Sequence, residues 1–307
     1  MSKQISDLRV VATSALVSVS DVVLNIVIAI VTGSTVMLSQ ALQGVSDLVT
    51  GAILFFGVKR SRRSADVNFQ FGYGREVFFW VLVAGIVMFV GTGGISLYLG
   101  YKQFVNPSQL ENIWAALIML TVGFSTNFYA FRLSFKRLKQ RSGRRGIIKH
   151  LVNSSIVETK ATFIIDFLGT IAAMFGFVAL MLFVVTGNAQ FDGLGSVVIG
   201  LSMMIGAILL MKDVRDLIVG KAVDDETSRE IMKAATSVDG VNSVLDLRTM
   251  YLGSERLLVI LEVHVEDNRD TDEIEKITDE IKQIVSSLVP IVEHIQVEIE
   301  TPDDEES

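Results

Sequence analysis

No cysteine occurs among the 307 residues, so disulfides, thiolate metal sites and cysteine nucleophiles are excluded. Histidine is almost as scarce. Only His150, His264 and His294 are present, which makes a histidine-rich zinc site hard to assemble. Three prolines stand against 24 glycines, a mix suited to long, closely packed helices and not to a disordered chain. Charge is thin as well: 20% of residues are charged, where an ordinary soluble domain carries about 25%. Half of the residues are hydrophobic, and the mean hydropathy is +0.50.

The apolar residues fall into long runs. A bilayer core about 30 Å thick needs roughly 20 apolar residues of helix. Six windows meet that requirement: 10–32, 36–58, 77–101, 111–133, 156–186 and 193–219. The first does not read as a signal peptide, because its apolar run is too long and no small-residue cleavage site follows. Basic residues then orient the spans. Lys59, Arg60, Arg62, Arg63 and Arg75 lie in the second connection, and Arg132, Lys136, Arg137, Lys139, Arg141, Arg144, Arg145 and Lys149 in the fourth. The odd connections hold a single Lys, so the even ones and both termini are expected in the cytoplasm. The Arg141–Lys149 run is read as a topology signal; a loop pinned beside a bilayer is a poor nucleic-acid site.

The net charge of −7 hides a division. Residues 1–220 carry 19 Lys and Arg against 11 Asp and Glu; residues 221–307 carry 8 against 23. The change near Gly220 marks an expected boundary between a transmembrane cation-transport domain (1–220) and a cytoplasmic regulatory and dimerisation domain (221–301), followed by an acidic disordered end (302–307). Within the tail, residues 224–237 and 271–288 read as helices and 241–250, 257–266 and 294–300 as strands, with Gly253 as the turn signal between the first two strands. The order αββαβ predicts a two-layer, ferredoxin-like domain. The fold class expected is therefore an α-helical integral membrane protein of six spans with a small α/β domain attached.

Three carboxylates sit near the middle of their spans. A charged side chain near a bilayer centre costs several kcal/mol and is a functional-site hypothesis by default. Asp21, Asp47 and Asp166 each lie 10 or 11 residues into their windows, roughly 15–16 Å from a membrane face at 1.5 Å per residue. Each has a polar neighbour four residues away on the same helix face: Asn25 for Asp21, Gln43 for Asp47 and Thr162 for Asp166. Two such pairs on facing helices can bring four oxygens to one cation. Asp47 and Asp166 are the first candidates for a transport site, with Gln43 and Thr162 as co-ligands. Interhelical bonding by Gln43 and back-bonding by Thr162 to its own helix are the structural alternatives. Asp21, with Asn25, reads either as a further ligand, as a proton site or as the partner of a basic side chain.

With these residues in view, the chain resembles the cation diffusion facilitator transporters over nearly its whole length. The segment TGSTVMLSQALQGVSDLVTG of the first loop and second helix, FGYGRE at Phe71–Glu76 and VLDLRT at Val244–Thr249 carry the likeness. The resemblance implies metal-ion/proton antiport by alternating access in a homodimer, with export from the cytoplasm. It also implies a site built from one pair on the second helix and one on the fifth. Zinc members of that family read [HD]-x-x-x-D and H-x-x-x-D there, whereas this chain has Gln43-x-x-x-Asp47 and Thr162-x-x-x-Asp166. Both aspartates are kept and every imidazole is gone. Oxygen donors suit harder ions, so Mn²⁺ or Fe²⁺ is expected as cargo, with Zn²⁺ next and no prosthetic group. Held together out of water without a cation, the two carboxylates repel, and protons can take the ion's place.

Other sites of that family look altered. A second-loop site in some members uses Asp and two His; here Asp66 remains but Phe69 and Tyr73 fill the histidine positions, so no full metal site is expected. In the tail, Asp246, Glu262, His264 and Glu298 are weak candidates for a cytoplasmic metal site, against the reading that they form a solvated acidic surface. His150 and His294 read as ordinary surface residues. The expected partners are divalent cations, protons, the lipid bilayer and a second copy of the chain. A bacterial inner membrane fits the short loops. The alternative function is a non-transporting metal sensor or scaffold. No nucleophile–base pair or phosphate loop speaks for an enzyme: FGYGRE follows no strand, so its glycines are no dinucleotide fingerprint.

Overall fold

The computed structural model of the chain describes residues 7–142 and 155–302. Arg144, Arg145, Lys149, His150 and most of the acidic end lie outside the described residues. Among the described residues six long helices come first: α1 (Asp7–Thr32), α2 (Thr35–Ser61), α3 (Glu76–Val105), α4 (Ile113–Ser142), α5 (Val157–Thr186) and α6 (Gln190–Val219). Those from α2 to α6 are each long and apolar enough to cross a membrane, and α1 contributes the apolar run Val19–Thr32. At 30 residues, α5 and α6 span about 45 Å, longer than a bilayer core, as their sequence windows imply.

Local chemistry sets the ends. Ser34 caps α2 by accepting a hydrogen bond from the Met37 N–H. α5 and α6 stop at Gly187 (φ 69°) and Gly220 (φ 118°), both in the left-handed region open to glycine. α2 lies centrally, packed on α1, α3, α5 and α6, while α4 packs on α5 and α3 runs along α6. The last pair touches backbone to backbone: a Cβ on Gly100 would lie 2.7 Å from the Gly193 carbonyl oxygen. Within α3, residues Met88–Gly94 form a π-helical segment, the kind of irregularity found at functional sites. There the buried Thr92 hydroxyl donates to the Leu42 carbonyl of α2 at 3.4 Å.

The tail follows the expected order: α7 (Asp225–Thr236), β1 (Val241–Gly253), β2 (Arg256–Val265), α8 (Thr271–Leu288) and β3 (Val292–Ile299). β2 is central, antiparallel to β1 and parallel to β3. Asp270 and Glu273 form a capping box at the start of α8. Its apolar face contributes Ile277, Ile281 and Val285 to one buried core that also holds Val259, Leu261 and Val263 of β2. The turn expected at Gly253 lies at Ser254 and Glu255, with Gly253 as the last residue of β1, paired with Arg256 across it. The left-handed residue of the turn is Glu255 (φ 56°). Gly253 is needed for another contact, at the joint with the helices.

That joint lies between the second connection and the tail. Gly74 fits against β1 so closely that a Cβ there would sit 2.3 Å from the Leu252 carbonyl oxygen, and one on Gly253 would meet Gly74 backbone at 3.0 Å. The Phe71 ring meets His294 edge-to-face at 5.4 Å, so His294 is exposed but belongs to the joint. Two arginines of the basic second connection tie helix ends together. Arg75 donates to the Ile218 carbonyl at the end of α6, and Arg60 pairs with Glu76 of α3 at 2.7 Å. A second tie runs from the start of α5 and the residues just before it: Ser254 donates to Glu158 at 2.7 Å, and the Glu255 N–H donates to the Ser155 hydroxyl at 3.1 Å.

Candidate functional site

Four of the residues singled out in the sequence meet in space. Asp21 of α1, Asp47 of α2, and Thr162 and Asp166 of α5 line one cavity of about 430 Å³. It extends along α2 from Gly44 to Leu54, towards the end of the bundle that carries the tail. Gln43 and Asn25 open instead into a smaller adjoining cavity of about 40 Å³, shared with Asp21 and Asp47. The sequence pairs behave differently. Asn25 donates its amide to Asp21 at 3.1 Å. Gln43 is buried, and its Oε1 has no hydrogen-bond partner. Thr162 spends its proton on the Glu158 carbonyl at 2.9 Å, the back-bonding foreseen as its structural role, while its oxygen still borders the cavity.

The structure adds residues that the sequence reading missed. Ser134 of α4, itself buried, donates a hydrogen bond to the Asp166 carboxylate and so fixes its orientation. Asn127, also on α4, borders both cavities. For Asn127 the available signal was a carboxamide within the fourth apolar window; Ser134 falls one residue beyond that window and gave none. Among the described residues, no three His, Asp or Glu side chains converge closely enough to hold an ion together. A bound cation would therefore complete its shell from carboxamides, hydroxyls or water. Every such donor in the lining is an oxygen or an amide, with no imidazole and no thiolate.

A further carboxylate escaped notice because its residue had been placed in a loop. Asp192, in the first turn of α6, is fully buried. It accepts from the Ser34 hydroxyl at 2.5 Å, the Thr35 N–H and hydroxyl at 2.7 Å, and the Val36 N–H at 3.1 Å. A negative charge thus sits on the open donors at the N-terminus of α2, where the helix dipole favours it. The Thr32–Gly33–Ser34 turn, which resembles a family motif, is the stretch that delivers those donors.

The weak tail candidates form a row, not a cage. Asp246, Glu262 and Glu298 lie side by side across β1, β2 and β3 in register. Arg248 fills the position where an ion would neutralise them, at 2.8 Å from Asp246 and 3.5 Å from Glu262. His264 stands apart, its Nδ1 3.2 Å from the Glu300 carbonyl. In the second connection Asp66 is likewise committed to the chain. It accepts from Tyr73 Oη at 2.6 Å and from the N–H groups of Asn68 and Phe69 at 2.9 Å. Those bonds, the Tyr73 one foremost, hold its carboxyl below the usual carboxylate range, and the same bond raises the Tyr73 phenol. Arg63 lies 4.5 Å over the Tyr73 ring.

Long apolar helices with polar side chains directed inward, followed by a small α/β domain, define a multi-pass integral membrane protein. The description Cation efflux transmembrane domain matches residues 11–219, and Cation efflux protein, cytoplasmic domain, matches residues 223–302. The chain belongs to the cation diffusion facilitator family. It is 24% identical to metal tolerance protein C4 of Arabidopsis thaliana, over 72% of this chain and 49% of that protein. It is 21% identical to the mitochondrial proton-coupled zinc antiporter SLC30A9 of Mus musculus, over 76% of this chain and 42% of that protein. The chain thus matches about half the length of these relatives or less. Among solved structures, a nickel form of a MamM C-terminal-domain variant is similar at 21% identity and a TM-score of 0.25, covering 26% of this chain and all of that one.

Proposed function

We propose that the protein is a divalent-cation/proton antiporter that carries Mn²⁺ or Fe²⁺, with Zn²⁺ next in preference, out of the cytoplasm by alternating access. One observation carries the reading: Asp47 and Asp166, on the neighbouring helices α2 and α5, border a single cavity inside the helix bundle. The absence of imidazole from the lining supports a harder ion than zinc. Membership of a cation efflux family supports transport, and the proton-coupled antiporter named among the relatives supports proton coupling. In this reading Asp47 and Asp166 hold the ion while ionised, Gln43 and Thr162 present oxygens beside them, and Asp21 with Asn25 flanks the path. Protons replace the ion on the other side of the membrane. The domain division is 1–220 for transport and 221–301 for regulation and dimerisation, with both termini cytoplasmic, in a homodimer of the cell's inner membrane.

The test is flux in proteoliposomes under a pH gradient, across Mn²⁺, Fe²⁺, Zn²⁺, Mg²⁺ and Ca²⁺. Asp47→Asn and Asp166→Asn are each expected to abolish pH-driven uptake. Normal flux in either variant would overturn the site assignment, and a strong preference for Zn²⁺ would overturn the selectivity argument. No flux of any ion from folded protein favours the other reading, a sensor or scaffold, with which the Arg248-filled acidic row of the tail is compatible.

A further inference from the structure

Asp47 separates two spaces, and only the larger is lined by Asp166. The smaller one, about 40 Å³, lies further from the tail, between α1, α2 and α4. It is lined by Asp21, Asn25, Gln43, Asp47 and Asn127, among others. Three features make it more than a packing fault. Its size suits a cation with one or two waters, since about 10–15 Å³ of such space holds a single water. It holds the unpartnered Oε1 of Gln43, a residue only 4% exposed, and a buried acceptor without a donor is a feature native structures seldom tolerate without reason. Finally, the neighbouring helix is trimmed to admit the two carboxamides. A Cβ on Gly169 of α5 would stand 2.9 Å from Gln43 Nε2 and 3.2 Å from the Asn127 carboxamide.

The donor set is specific. Two carboxylates match the charge of one divalent ion, and three carboxamides (Asn25, Gln43 and Asn127) supply neutral oxygens by a modest rotation of each side chain. Gln40 brings an unpartnered Nε2 to the same lining, a donor suited to a water in the ion's shell and not to the ion itself. Because Asp21, Gly44, Asp47 and Asn127 border both spaces, an ion can pass between them while Asp47 keeps hold of it.

We propose that Asp21, Asn25, Gln43, Asp47 and Asn127 form a second, all-oxygen position for a divalent cation, one step beyond the Asp47–Asp166 pair and further from the tail. The proposal rests on the transport reading for its meaning, but binding tests it independently. Mn²⁺ is titrated into purified full-length protein and the bound fraction read by electron paramagnetic resonance. Asp166→Asn is expected to retain a bound Mn²⁺. Adding Asn127→Leu, which fills the small cavity, is expected to weaken that binding at least tenfold, and adding Asn127→Asp instead is expected to preserve it. Loss of all binding in Asp166→Asn alone, or unchanged binding after Asn127→Leu, would overturn the second position. So would equal loss with Leu and Asp, because a purely structural role does not distinguish a ligating from a non-ligating replacement. Proteoliposome flux of the wild type decides the transport reading separately.

Discussion

Asp192→Ala removes a buried carboxylate that organises the start of α2. Two of its four hydrogen bonds satisfy backbone N–H groups, of Thr35 and Val36, that the helix itself leaves open. Without the carboxylate each would be a buried unsatisfied donor, at about 1–3 kcal/mol apiece. Loss of a favourable charge at the helix N-terminus adds up to ~2 kcal/mol in a buried setting. The Ser34 and Thr35 hydroxyls can find other acceptors, and some water will enter from the nearby loop, so these figures do not simply add. A destabilisation of roughly 3–5 kcal/mol is expected, the range seen when one partner of a buried charged contact is deleted. Asp192→Asn keeps one acceptor oxygen but puts an amide among donors, so an intermediate loss is expected. Reversible SDS unfolding in mixed micelles measures it. A cost below about 1 kcal/mol for the alanine variant would refute the reasoning, because the full set of uncapped donors would then carry almost no penalty.

Other outcomes follow from the joint and the loop. Tyr73 donates to Asp66, so its phenol is expected to ionise at higher pH than free tyrosine. The stability this bond contributes is present below the ordinary tyrosine range and is lost as pH rises through the raised value. Asp66→Asn should bring the phenolate absorbance transition back down, and an unmoved transition would show that the bond does not form. Gly74→Ala forces a Cβ into the Leu252 carbonyl, and should increase protease or hydrogen-exchange access at the 250–256 turn; unchanged protection there would refute close docking. Lys160, buried in α5, pairs with Asp213 of α6 at 2.8 Å, with Lys221 4.0 Å from the same carboxylate. Because Asp213 is partly exposed, Lys160→Met should cost only about 1–3 kcal/mol, less than the 3–5 of a fully buried pair. The larger effect is expected in Asp213→Asn, which takes the carboxylate charge from beside a buried ammonium. The reverse order in chemical unfolding would contradict this account.

The spans were legible because hydropathy over 20 residues is a strong signal, and α8 matched because its isoleucines repeat at helical spacing. Asp21, Asp47, Thr162 and Asp166 were placed near one another by counting residues from the span ends, and one cavity does collect them. Asn25 and Gln43 fell into a neighbouring space, because a shared helix face does not say which neighbour packs against it. Asn127 and Ser134 went unread since α4 carried no carboxylate to draw attention to its polar positions. Asp192 was hidden by a boundary: counted as loop, it could not be seen as the first turn of a helix facing another helix's start. The turn beside Gly253 was legible, but the reason for glycine there was not: it answers to the approach of Gly74, a contact 179 positions away in sequence that no local pattern encodes.

The π segment at Met88–Gly94 has a consequence for how this chain tolerates change in length. Wider hydrogen-bonded turns mean that α3 holds there about one residue more than a regular helix of the same rise. A single-residue deletion inside that segment can be absorbed by reversion to ordinary α-helix, leaving both flanking halves in register. The same deletion in α2 between Ser39 and Ser46 would turn every following side chain by about 100° relative to the start of the helix and carry Asp47 off its cavity. The bundle is thus expected to accept a lost codon at one place in α3 while refusing it in the helix next door.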